Sequence, residues 1–95
     1  MFEWDDDFKQ HKHNMGEMNC YVNGMRCGSI VIMSQIKNVT AYVGPGGRGS
    51  LYASASMYDV DNVQVDYIVP TLKKFVQDAW IITHGQAPED SHAAL

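Results

Sequence analysis

The chain has 95 residues, of which 45% are hydrophobic and 19% charged, and it carries a net charge of −4. That length supports one domain with a modest core, the composition excludes a disordered chain, and the mild acidity argues against a phosphate-gripping nucleic-acid binder. No apolar run approaches the roughly 20 residues that span a bilayer, and the acidic start Met1-Phe2-Glu3-Trp4-Asp5-Asp6-Asp7 is unlike a secretory signal, so a cytoplasmic protein with no membrane contact is expected.

Residues 1–16 form an N-terminal arm in which Phe2, Trp4 and Phe8 stand among aspartates and lysines. Phe8 lies four residues beyond Trp4, so one helical turn puts both rings on one side, and Asn14-Met15-Gly16 would end such a helix. Three aromatic rings are costly to leave in water, so the arm is expected to pack on the body; an arm that orders on a partner is the alternative.

The strongest local signal follows. Asn23-Gly24 separates two strand-like segments, Met18–Val22 and Met25–Ser34, and Asn-Gly favours the two-residue hairpin turn that matches strand twist. Unbroken alternation from that turn pairs Val22 with Met25, Tyr21 with Arg26 and Cys20 with Cys27. The last two would then face each other with Cα atoms about 5.5 Å apart, within disulfide range. Two reduced, buried thiols are expected there, with a redox-linked pair as the alternative.

A third strand is expected over Asn38–Val43, then a glycine-rich loop, Gly44-Pro45-Gly46-Gly47-Arg48-Gly49, and a fourth strand over Ser50–Tyr58. Beyond it, Val65, Ile68, Leu72, Phe75, Ala79 and Ile82 recur at helical spacing. Asp61 with Gln64 resembles a capping box, and Gly85 suits a C-terminal stop. Pro70 leaves two readings open: a long helix with an interior proline, or a fifth strand over Val63–Val69 with the helix starting at Pro70. The tail, residues 86–95, is expected to be disordered, which leaves residues 17–85 as the domain. The fold class is α+β: a four-stranded, or with Val63–Val69 five-stranded, antiparallel meander packed on one C-terminal helix, with a short aromatic N-terminal arm.

Alternation without bulges assigns Cys20, Val22, Val31, Met33, Val39, Ala41, Leu51, Ala53 and Met57 to the helix-covered face. The opposite face then carries Tyr21, Ile30, Ile32, Thr40, Tyr42, Tyr52, Ser54, Ser56 and Tyr58. It is poor in charge and rich in phenols, which resembles a binding surface more than a solvated one. The arm's aromatic rings could instead simply cover it.

Motifs for chemistry are sparse. Gly44–Gly49 lacks the Gly-Lys-Ser/Thr of a phosphate loop, so Arg48 is read as a grip for a carboxylate or phosphate on a partner. His11 and His13 do not make a metal set with the cysteines at any required spacing, and His84 suits the helix C-terminus. Asp59, Asp61 and Asp66 flank a helix start, where carboxylates cap. No nucleophile or titrating pair identifies an enzyme, and neither cofactor nor metal is implied.

The functional expectation is a non-enzymatic protein-binding module that uses Tyr21, Tyr42, Tyr52 and Tyr58, the Arg48 loop and the acidic edge at Asp59 and Asp61, with a basic protein surface favoured as partner. Small, motif-free acidic domains of this kind are common among viral accessory proteins that bind and inhibit host proteins. The alternatives are a homo-oligomeric assembly protein, a homodimer in the simplest case, that joins through the tyrosine-rich face, and a ligand binder or enzyme with its site at a dimer interface.

Overall fold

The computed structural model describes residues 1–12, 15–34, 37–44 and 53–88. Asn23 and Gly24 both adopt positive φ, 52° and 79°, which makes the expected hairpin turn. Around it runs an antiparallel sheet of β1 (Phe2–Trp4), β2 (Lys9–Lys12), β3 (Met15–Val22), β4 (Met25–Met33), β5 (Asn38–Val43) and β6 (Ala53–Met57), followed by one helix, α1 (Asn62–His84). The strand order is β1-β3-β4-β5-β6, with β2 also on β3. The α+β class and the C-terminal helix therefore stand as read, with a larger sheet than four or five strands.

The added strands come from the N-terminal arm, which is not helical. Phe2 and Trp4 alternate with Glu3, and β1 pairs Phe2 with Val22, Glu3 with Tyr21 and Trp4 with Cys20. β2 takes the other half of the same β3 edge, opposite Met15–Glu17. Between them the chain is clipped at Asp5: its N–H donates to the Asn19 carbonyl at 2.9 Å, and its carboxylate accepts from the Asn19 N–H at 2.9 Å. Phe2 then rests edge-on against Trp80 of α1, with ring centroids 5.6 Å apart.

The β3–β4 ladder is not unbroken. Val22 pairs with Met25 and Tyr21 with Arg26, but Cys20 pairs with Gly28, so Cys27 is an extra residue on β4. This is a β-bulge, and it resets the alternation of everything that follows on β4. Ile30 and Ile32, expected opposite the helix, pack in or against the core beneath α1. Val31 and Met33, expected beneath it, pair with Thr40 and Asn38 on the other face. Gly28 meets Val43 at the point where α1 comes closest: a Cβ there would lie 2.6 Å from the Tyr42 carbonyl oxygen and 2.8 Å from Val76 Cγ1.

The helix reading with Pro70 inside is the correct one, and Val63–Val69 is not a strand. Gln64 reaches back so that its side-chain oxygen accepts from the Asp61 N–H at 2.9 Å, in the capping-box arrangement. At the other end Gly85 takes the left-handed conformation, and its N–H donates to the Ile81 carbonyl at 2.8 Å. Pro70 is exposed, so its ring faces away from the sheet side of the helix. Leu72 and Val76 are the buried pegs of α1, set against Cys20, Ile30, Val39, Ala41 and Val43.

The face away from α1 is buried at its centre, although several of its side chains there are polar. Ser29 and Val31 are 1% exposed and Thr40 is 6% exposed. Thr40 shares hydrogen bonds with Asn38 at 2.6 Å and Ser56 at 2.8 Å, which satisfies hydroxyls that would otherwise be costly to bury. Arg26 and Glu17, 3.7 Å apart, form an ion pair whose register spans the Asn19–Ser29 pair between them.

Candidate functional site

The tyrosines of the sequence reading separate into two places. Tyr21 and Tyr42 lie on the face opposite α1, and both are half-buried. Tyr21 is paired with Glu3 and Arg26, and Tyr42 with Ser29 and Ser54, so the two rings start from different rows of the sheet. Tyr58 is beyond the end of β6, in the segment leading to α1, and is 70% exposed. Arg48 and Tyr52, with most of the glycine-rich loop and the start of the expected fourth strand, lie outside the described residues, as do residues 89–95 of the tail and His13.

Tyr58, Asp59 and Asp61 come together because they belong to one short, anchored segment. Val60 is 8% exposed and sits in the core, and its N–H donates to the Lys37 carbonyl at 3.0 Å. Asp59 precedes it with φ at 57°, a left-handed conformation that aspartate tolerates better than most residues. Asp61 follows as the helix N-cap and stands 3.6 Å from Lys37 Nζ, an exposed ion pair of small energetic value. The chain is thus pinned at Val60 and Asp61, while Tyr58 and Asp59 face solvent. Tyr67, 77% exposed on α1, and Asp66 beside it add a second phenol and a further carboxylate at this end of the helix. Sequence reading passed over Tyr67 because it left open whether residues 63–69 were strand or helix.

The opposite end of α1 makes a different site. A cleft of about 260 Å³ lies between the hairpin turn and the last turns of the helix, lined by Val22, Asn23, Met25, Arg26, Cys27, Trp80 and His84. Trp80 and His84 stack in parallel at 3.8 Å, and His84 Nδ1 is 2.8 Å from the Trp80 carbonyl, so the imidazole sits at the helix C-terminus as its position suggests. Met25, 73% exposed, stands at the rim. No motif announces this cleft, because its two walls are more than fifty residues apart in the chain. The (i, i+4) spacing of Trp80 and His84 was its one legible trace.

Behind the cleft are the two thiols. Cys27 lies on the α1 side with Cys20, as alternation from the Val22–Met25 pair sets it, and both belong to the buried core. Each thiol acts on the other: the neighbouring Cys27, then burial, raises Cys20 far above the usual thiol range, while the neighbouring Cys20 lowers Cys27. Lys73, whose Nζ is 5.4 Å from the Trp4 ring centroid, acts on Cys20 in the opposite sense by attracting negative charge. Beside them the Trp4 indole N–H is buried without a hydrogen-bond partner among the described residues.

Among the described residues, no group of three or more His, Cys, Asp or Glu side chains is placed to hold a metal, and no helix is long and apolar enough to cross a membrane. Comparison with known protein families, curated proteins and solved structures finds no match.

Proposed function

We propose that the chain is a non-enzymatic protein-binding module that docks a basic surface of another protein through the Tyr58–Asp61 segment and the first turns of α1. The observation that supports this reading is Tyr58, a large amphipathic ring left 70% exposed on a segment whose next residues are anchored in the core and at the helix cap. Tyrosine is favoured as an interface anchor because it presents a large contact area with few rotors to freeze. A pinned segment has already lost the backbone entropy that a flexible loop would give up on binding. Asp59, Asp61 and Asp66 surround it with negative charge, which steers a basic partner and sets orientation.

Inhibition of the partner, as a small viral accessory protein would achieve it, follows if the docked surface is the partner's own working site. The sheet face opposite α1 offers Tyr21 and Tyr42 as a second contact, but both rings are half-buried and bring less area.

The test is a pair of variants with different structural consequences. Tyr58→Ala removes an exposed side chain and leaves the melting temperature unchanged. Asp59→Gly replaces a strained left-handed residue with one free of that strain, so its melting temperature is equal to or above wild type. Each weakens capture of a stoichiometric partner by the immobilised protein, by about tenfold for Tyr58→Ala. Unchanged capture with both variants, from the same lysate at the same salt concentration, removes the proposal.

A further inference from the structure

The thiol pair and the cleft have no part in the docking surface, which lies at the other end of α1, and the following inference stands independently of it. We infer that Cys27 and Cys20 are an exchange dithiol: Cys27 attacks small disulfides that enter the cleft, and Cys20 resolves the product from behind.

Three observations carry this. The first is the bulge. Alternation from the Val22–Met25 pair already sets Cys27 on the α1 side with Cys20. The bulge then leaves Cys27 and Gly28 together opposite Cys20, so the two cysteines face each other across the hairpin within the buried core. The second is the asymmetry of access. Cys27 lines the cleft, whereas Cys20 is 0% exposed and is absent from its walls. An incoming disulfide therefore reaches one sulfur and not the other. The third is the chemistry of the walls. The flat Trp80–His84 stack and Met25 supply apolar and sulfur contact for a small disulfide.

The reaction balances without any further reagent. The Cys27 thiolate attacks one sulfur of the small disulfide, the S–S bond breaks, and one half leaves as a thiolate that takes up a proton. Cys20 loses its proton to solvent and attacks the Cys27 sulfur, and the second half leaves as a thiol. The protein gains one disulfide and loses two electrons and two protons, and the small disulfide is reduced to two thiols. The attacking thiol is the one that its neighbour lowers toward the thiolate. The event is stoichiometric and needs no turnover.

The experiment uses the full chain and glutathione disulfide, with acid quench, alkylation and intact mass measured without reductant. Wild type becomes lighter by two hydrogens and binds no alkylating agent. Cys20→Ser, which cannot resolve, accumulates one glutathionyl group on Cys27. Cys27→Ser gains none, because Cys20 is sealed. If Cys20→Ser does not fold, the wild-type digest decides alone: a linked Cys20–Cys27 peptide supports the inference, and its absence after prolonged exposure overturns it. Modification of Cys20 in Cys27→Ser at the wild-type rate also overturns it.

Discussion

Gly28→Ala is expected to destabilise the protein by about 3 kcal/mol or more, a large part of the roughly 5–10 kcal/mol that holds a domain of this size together. The single added carbon would stand 2.6 Å from the Tyr42 carbonyl oxygen and 2.8 Å from Val76 Cγ1. Val76 could be trimmed, but the carbonyl belongs to β5, which is held on both sides by β4 and β6. Relief would therefore require moving a central strand. Urea denaturation of Gly28→Ala checks the magnitude, and the double variant with Val76→Ala checks the cause: it recovers little, because the backbone contact persists. Full recovery would show that only the helix crowds this glycine.

Ile30→Ala is expected to cost about 3–4 kcal/mol, lowering the melting temperature by roughly 15 °C or more. Ile30 is fully buried and packs in the core with Leu72 and Val76 of α1. The prediction bears directly on the bulge. Were the hairpin an unbroken ladder, Ile30 would lie on the face away from α1, where nothing of the helix would be lost by trimming it. A loss below about 1 kcal/mol in thermal or denaturant unfolding would contradict the observed register.

The features of this fold that were legible are those with local chemistry behind them. Asn23-Gly24 dictates its turn, Asp61 with Gln64 starts the helix, and Gly85 ends it, each through a backbone preference that needs no distant partner. The bulge was not legible in that way, because one extra residue leaves no trace in composition. Gly28 inside a strongly apolar strand was the available hint, since a glycine in a strand often marks a bulge or a close approach, and here it marks both. Missing it exchanged the faces of Ile30, Val31, Ile32 and Met33.

In the N-terminal arm the four-residue spacing of Trp4 and Phe8 competed with the two-residue spacing of Phe2 and Trp4. The second spacing decided, because β3 offered an unpaired edge and α1 offered Trp80. Pro70 set helix against strand over residues 63–69. The long apolar stripe through Ile68, Leu72 and Val76 needs the helix to run unbroken, and burial of that stripe outweighs one missing hydrogen bond.

Of the proposed docking residues, Tyr58, Asp59 and Asp61 could be named from the sequence because they are adjacent in the chain. What makes them a presentable unit is Val60 and its bond to the Lys37 carbonyl, a contact between distant segments. The cleft beside the thiols leaves only the spacing of Trp80 and His84 in the sequence, since the hairpin supplies one wall and the helix C-terminus the other.

Amide hydrogen exchange, followed on the protein alone and in complex with its captured partner, tests the docking proposal most directly. Binding through the anchored segment slows exchange from Met57 to Tyr67 and leaves the amides around the hairpin turn and those of Tyr21 and Tyr42 as they were. Slowing confined to the hairpin turn, or to the strands carrying Tyr21 and Tyr42, with Met57 to Tyr67 unaffected, would contradict it.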